Sequence, residues 1–414
     1  MAALFRSSTF LFRKSGLLHK PDTEGTQASF LIIDLTPHLG DTIMRMPMIE
    51  ALRHAHPQAK IECAVETAAA PLLRAMPAVD HVYALKLGHI PPIARWRAIR
   101  RTFLVIYRSL QVLHQSSPTV CIMPRWGDDL FQSCVAGYLT GAPRRVGFAL
   151  ANKGEGRRSF HYRDTLLTEQ VEGGSGLHEP ERFCLLLKEA GLIPPSGAAE
   201  AGTRTIASLK YIAAKTDWQA LATQVKIDTT TPFAVIAPGA SMPRRIWPLN
   251  FWAEVMKELR AKGMQIVLLS GEQDAAIAIE LHRLTGGWAT LVAGQTNLLQ
   301  SVALISYASL FLGNDSGAGH VAGALGIPSV ILFIAETGCD TNAPSAPERI
   351  HPVGPRVAFC RPSECLPPCV KCCEASEAHC IRTILPSEVI ATAERILQQR
   401  EAGEGVPVSS EAND

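Results

Sequence analysis

The sequence predicts an α/β protein of two domains, each built on a parallel sheet, and three observations carry that reading. At 414 residues the chain is longer than one hydrophobic core usually spans. Short apolar runs alternate with helical segments, the pattern of strands joined by crossover helices. Finally, between Phe233 and Ser316 three apolar runs each end in a loop carrying polar groups, and the carboxyl ends of strands are where open α/β sheets bind ligands.

Residues 1–29 mix Arg6, Arg13, Lys14 and Lys20 with Phe5, Phe10 and Phe12. They lack the apolar stretch and small-residue cleavage site of a signal peptide, so a flexible basic extension is expected. No run of eighteen apolar residues occurs anywhere, which argues against a spanning helix. The first domain is expected over residues 30–190, with strands at 30–35, 61–65, 82–85 and 120–123. Between the last two, Ile93, Trp96, Ile99, Phe103, Ile106, Leu110 and Leu113 form a stripe at helical spacing. Arg95, Arg97, Arg100, Arg101 and Arg108 make that helix basic. Its stripe is read as core-facing with a solvated charged side; the alternative is an interfacial or lipid-phosphate contact.

Residues 191–231, bracketed by Pro194-Pro195 and by Thr229 to Pro232, are expected as a linker with an Ala-rich helical piece inside it. The second domain follows over 232–385. A helix is expected over 386–400 with Ile390, Ala393, Ile396 and Leu397 as its apolar face, and a disordered tail over 401–414.

Charge and composition bound the function. With 47% hydrophobic and 19% charged residues the chain can bury sizeable cores. Its net charge of +2 argues against general nucleic-acid binding. The first 200 residues carry 23 basic and 18 acidic side chains against 17 and 20 in the rest, a mild bias suited to an anionic acceptor or a membrane surface.

Four motifs carry chemistry. The run from Phe30 enters a turn with Gly40 and Asp41 at a helix start; Asp41 is either an N-cap or a carboxylate available as general base. Phe233 leads into Pro238-Gly239-Ala240-Ser241, followed by Arg244-Arg245-Ile246-Trp247-Pro248, which offers hydroxyl, amide and guanidinium donors to a diphosphate. The run from Gly263 ends in Gly271 and Glu272. Leu304, Ile305, Leu310, Phe311 and Leu312 read as a strand ending at Gly313. The Asn314-Asp315-Ser316-Gly317 turn then aims free N–H groups and a positive helix end outward, where either a phosphate or an ordinary cap fits.

Cysteine is uneven: seven of eleven lie between Cys339 and Cys380. Cys360, Cys365, Cys369 and Cys372 are the candidate ligands of a structural metal, with disulfides or free thiols as alternatives, since their spacings do not give two Cys-x-x-Cys knuckles. The other four cysteines are expected to be buried and unreactive.

In order and spacing, Leu39-Gly40-Asp41-Thr42-Ile43, Ala78-Val79-Asp80-His81-Val82, Pro238-Gly239-Ala240-Ser241 with Arg245-Ile246-Trp247-Pro248, and Gly313-Asn314-Asp315-Ser316-Gly317 with His320 resemble the family-nine glycosyltransferases, typified by ADP-heptose:lipopolysaccharide heptosyltransferases. The resemblance implies the GT-B fold, two Rossmann-like domains facing each other across a cleft, with the C-terminal helix packing back on the first. It implies an inverting, metal-independent transferase with no cofactor, working at the cytoplasmic side of the membrane. The donor is a nucleotide-diphosphate sugar, foremost ADP-heptose; the acceptor is a lipid-linked or other glycan. Asp41 is then the base, and Gly40 and Thr42 line the acceptor side. Ser241, Arg245 and the N–H groups of Ser316, Gly317 and Ala318 hold the diphosphate. Glu272 and Asp315 bond ribose or sugar hydroxyls, and His320 faces the same loop. No Asp-x-Asp pair stands near these strand ends.

Two positions depart from the family pattern. Asp34 stands where an arginine is usual and Arg245 where a lysine is usual; the first inverts a charge near the acceptor side, while the second keeps one. An epimerase or hydrolase on the same fold, and a non-catalytic carbohydrate-binding or assembly protein, are the alternative functions.

Overall fold

The structure, a computed structural model, describes residues 28–87, 95–113, 115–126, 129, 131–149, 164–197, 200–370 and 373–402. The expected extension up to residue 27, the tail beyond 402 and Cys372 lie outside the described residues. The chain divides into two compact units: residues 1–175 with 180–201, and residues 176–179 with 202–414.

In the first unit six parallel strands pair: β1 (Ser29–Asp34), β2 (Lys60–Glu66), β3 (His81–Leu85), β4 (Val120–Met123), β5 (Arg144–Phe148) and β6 (Glu169–Val171). Their order is β3-β2-β1-β4-β5-β6. This is the Rossmann order, in which the winding reverses between the first and fourth strands and leaves a crevice outside their carboxyl ends. β1 reads Phe30-Leu31-Ile32-Ile33 without alternation, and all four are essentially buried, as a strand covered on both faces requires. Helices α1 (Leu39–Ala55), α2 (Ala70–Ala75), α3 (Arg95–Leu113), α4 (Ser133–Leu139) and α5 (Glu179–Glu189) supply the crossovers and cover.

Helix α3 forms where its spacing predicts, but its buried stripe is shifted. Val105, Ser109 and Leu113 face the core, whereas Phe103 is 69% exposed and Tyr107 56% exposed. Four-residue spacing from Val105 outweighs the stripe through Phe103, because burial follows the face the sheet presents and not the largest side chain. The side chains of Arg95, Arg97, Arg100 and Arg101 lie outside the described residues.

The charge at Asp34 is neutralised inside the unit. Arg45, one turn beyond Asp41, pairs with Asp34, and the Thr36 backbone N–H and hydroxyl each donate to it at 3.0 Å. Asp34 and Arg45 are 4% and 6% exposed at the side chain. The inverted charge expected near the acceptor side is therefore an internal ion pair under the start of α1. Removing one partner strands a buried charge. Arg45→Ala is expected to destabilise the protein by about 3–5 kcal/mol, whereas the double variant Asp34→Leu/Arg45→Met recovers most of that loss; chemical denaturation of the three proteins measures both.

The second unit repeats the plan with β7 (Phe233–Ala237), β8 (Gln265–Leu268), β9 (Thr290–Leu291), β10 (Leu310–Asn314), β11 (Ser329–Leu332) and β12 (Val357–Cys360), all parallel, ordered β12-β11-β10-β7-β8-β9. Its reversal falls between β7 and β10. The helices are α6 (Ala201–Ala214), α7 (Trp218–Val225), α8 (Leu249–Ala261), α9 (Ala275–Leu284), α10 (Leu298–Ser306), α11 (Gly317–Ala324), α12 (Pro347–Ile350) and α13 (Pro386–Ala402).

Two sequence expectations change here. Most of the segment expected as a linker is α6 and α7, and belongs to the second unit. Leu304 and Ile305 lie in α10, which Asn297 starts with a capping box; the strand begins only at Leu310. The C-terminal helix, which the resemblance implies packs back on the first domain, has its apolar residues Val389, Ala393 and Ile396 buried in the core of the second unit, with Ile390 and Leu397 packed against that core. Burial of each such aliphatic side chain contributes about 1.5–3 kcal/mol, so this face is committed to its own unit.

Candidate active site

In the first unit, β1 ends at Asp34 and the chain turns through Leu35 to His38 into α1. The N-cap is His38, which makes no side-chain capping bond, and Asp41 lies in the first helical turn. The cap reading of Asp41 therefore fails. Its carboxylate is partly exposed at the carboxyl end of β1, beside the reversal of strand order. Gly40 is buried, and Thr42, only 4% exposed, lines a small cavity with Asp34 and Arg45 beneath the turn. At the end of neighbouring β4, Arg125 lies 5.1 Å over the Phe131 ring. Asp129 accepts from Ser133 N–H at 2.9 Å and Cys134 N–H at 2.8 Å and so fixes the start of α4. Sequence reading passed over Arg125, whose only signal was a cation just past an apolar strand.

The second unit gathers most of the expected site at its own reversal. Asn314 closes β10 and joins two loops: its amide donates to Pro238 O at 2.6 Å, and its carbonyl accepts from Trp247 N–H at 3.3 Å. Trp247 is fully buried, packs edge-on against Trp252, and donates its indole N–H to Ile384 O at 3.0 Å. The segment between Pro238 and Pro248 is thus pinned to β10, which sets where Arg245 can reach. Arg245 Nη1 pairs with Asp315 at 2.8 Å, with side chains 15% and 7% exposed. Asp315, expected to bond ribose or sugar hydroxyls, is thus engaged with the guanidinium through one of its oxygens.

Around this pair are polar atoms with no protein partner. Arg245 Nε, Ser316 Oγ and His320 Nδ1 are all buried without a hydrogen bond. Leaving a buried donor or acceptor unmade costs about 1–3 kcal/mol each, so these atoms stand available to a polar partner. Ser316 occupies the N-cap position of α11, yet its hydroxyl makes no capping bond. The first-turn N–H groups of α11, at Gly317 and Ala318, have no intrahelical acceptor by construction and carry the positive end of the helix dipole. His320 is 4% exposed, and its Nε2 is 3.8 Å from Asp315. Gly319 lets α11 lie close on β11, since a side chain there would come within 2.9 Å of Ile331.

Ser241 and Glu272 are exposed on the loops after β7 and β8. Sequence reading chose Glu272 as the acid following β8 and missed Asp274. Asp274 is half-buried against Gly239, where a side chain would come within 2.6 Å of its carboxylate, and burial pushes its pKa up. Its signal, a second acid two residues on, was in the sequence, but only pairing of β7 with β8 brings the two loops together.

The cysteines separate into two kinds. Cys63 and Cys121 are buried with pKa values pushed up to about 12, chiefly by burial, and Cys134 and Cys184 are buried as expected. Cys360, at the end of β12, bonds Thr392, and Cys365 donates to Glu336 at 3.2 Å; neither is in the group whose ligand atoms converge. Cys369 instead groups with Cys373, His379 and Cys380.

Two Rossmann-ordered units, the second with unpartnered polar atoms at its strand reversal, are the plan of the GT-B class of glycosyltransferases. The chain belongs to glycosyltransferase family 9 (heptosyltransferase), whose model matches residues 128–379 and so takes in the whole second-unit site. It is 24% identical to lipopolysaccharide heptosyltransferase 2 of Escherichia coli K12 over 329 residues, 78% of this chain and 85% of that protein. The solved structure of E. coli ADP-heptose lipopolysaccharide heptosyltransferase II aligns with a TM-score of 0.64 at 22% identity, covering 90% of this chain and 99% of that one. E. coli heptosyltransferase WaaC with ADP aligns at 0.60 and 18% identity, covering 91% and 100%.

Proposed function

We propose that this glycosyltransferase moves a heptose from ADP-heptose to a lipopolysaccharide-core acceptor, in one displacement that inverts the anomeric carbon. The observation that carries the donor half is the set of buried, unpartnered donors around the Arg245–Asp315 pair. A diphosphate leaving group would take the Arg245 guanidinium, the Ser316 hydroxyl and the first N–H groups of α11, with Ser241 at the loop above. The negative charge that develops on that group meets donors already held in place, which is how such sites lower a barrier. Glu272 is the proposed partner of the ribose hydroxyls. Asp41 takes the acceptor proton as its oxygen attacks. The names of the relatives support the sugar and the acceptor.

Positive charge at the departing diphosphate comes in this reading from Arg245 and a helix terminus, so no divalent cation is needed for the chemical step. Transfer is expected to persist at its initial rate after brief exposure to EDTA. A prompt loss restored by Mg²⁺ or Mn²⁺, with unchanged melting, would overturn the metal-independent step. No helix among the described residues is long and apolar enough to cross a membrane. Exposed Phe103 and Tyr107 on α3, with Arg108 5.6 Å over the Tyr107 ring, support peripheral contact with the inner face of the cytoplasmic membrane. The donor assignment is tested by offering ADP-heptose, UDP-sugars and GDP-sugars with a heptose-deficient core acceptor and weighing the product; transfer from a UDP- or GDP-sugar alone would sink it.

A further inference from the structure

We propose that Cys369, Cys373, His379 and Cys380 bind one zinc ion, a closed structural site that staples the loop between β12 and α13. Their ligand atoms all lie within 4.8 Å of one another. Sulfurs about 2.3 Å from a tetrahedral zinc stand roughly 3.7 Å apart, so the four atoms already nearly enclose such a centre. His379 Nδ1 lies 3.7 Å from Cys369 Sγ and 3.4 Å from Cys380 Sγ. Cys373 and Cys380 are buried and Cys369 and His379 half-buried, while Cys369, Cys373 and Cys380 are all free thiols.

The surroundings fit a site and not a chance meeting of thiols. Leu366 N–H points at Cys380 Sγ from 3.4 Å, an outer-shell bond of the kind that orients a thiolate ligand. Leu366 also accepts from Cys369 N–H at 2.9 Å, so one tight turn presents Cys369 and supports Cys380. Cys360 is turned toward Thr392, while Cys365 donates to Glu336 at 3.2 Å and also stands beside Cys380 as an outer neighbour of the cluster. Three thiolates and an imidazole are a donor set that selects zinc over magnesium or calcium, and four protein ligands leave no open position for catalysis.

The loop needs such a staple. Among its described residues, 361–370 and 373–379 contain no helix or strand. It nevertheless places Ile384, whose carbonyl holds the Trp247 indole two residues from Arg245. A metal joining the loop to the first residue of the Cys380–Thr383 turn fixes that support.

The test uses the full chain purified without chelator. Elemental analysis is expected to find about one zinc per chain. Stripping with an organomercurial should release it and lower the melting temperature, and Co²⁺ refilling should give a thiolate charge-transfer band with the intense visible bands of a tetrahedral site. Cys369→Ser and His379→Ala should each lose the metal, and Cys121→Ala should keep it. Wild-type protein that carries no metal and takes up no Co²⁺ overturns the site without relying on any variant's folding, as does a disulfide among the three cysteines in reducing-agent-free mass spectra. Stoichiometric iron lost in the same variants would overturn the assignment to zinc.

Discussion

Asp41→Asn is expected to lower sugar transfer by on the order of a hundredfold or more, with affinity for the nucleotide product unchanged, as loss of a general base requires. The substitution is clean because Asp41 caps nothing: the N-cap of α1 is His38, without a side-chain bond. What Asp41 contributes to folding is its charge in the first turn, about 0.3–1 kcal/mol from the helix dipole. Asparagine fits the same space, so melting should barely move while turnover collapses. Steady-state transfer, calorimetry with ADP and a thermal melt on the same preparation separate the two. Undiminished turnover would remove Asp41 from the mechanism, and a large fall in melting temperature would make its role structural.

Arg245→Ala is expected to weaken ADP binding by about 2–4 kcal/mol, some thirtyfold to several hundredfold. Two effects add. The diphosphate loses a charge-assisted donor, and Asp315, 7% exposed and paired at 2.8 Å, is left as an uncompensated carboxylate beside the place an anion must occupy. The double variant Arg245→Ala/Asp315→Asn removes the second effect and should recover part of the affinity. Arg245→Lys, which keeps the charge but not the planar fork, should fall between wild type and Arg245→Ala. Calorimetry with ADP on all four proteins reads the series. Equal affinity across it would place Arg245 outside the site.

These two residues stood out in the sequence because strand-to-loop transitions are local. Apolar runs of Val, Ile, Leu and Phe marked the ends of β1, β7 and β10 to within a residue and that of β8 to within three; the groups just past them were visible by position, and the resemblance gave Asp41 its role. Pairing between segments was not local. That Asn314 ties Pro238 to Trp247, that Asp315 holds Arg245, and that Asp274 sits against Gly239 all depend on β7 lying between β8 and β10. The Cys-rich loop shows the same limit: its cysteine count left a metal, disulfides and free thiols open, and the candidate set of four included Cys360, which the fold turns toward Thr392, but not His379 or Cys380.

By itself, then, the sequence determined two α/β units, because buried parallel strands must be continuously apolar and their loops need not be. It also determined which strand ends bear acid, guanidinium and hydroxyl groups. Only the tertiary structure decided which of those charges are spent on each other. Asp34 is neutralised by Arg45, and Asp315 orients Arg245, while Arg245 Nε, Ser316 Oγ and His320 Nδ1 stay unpaired. The physical reason is distance: a charge's role is set by neighbours within about 4 Å, and those neighbours come from strands far apart in the chain and adjacent only in the sheet.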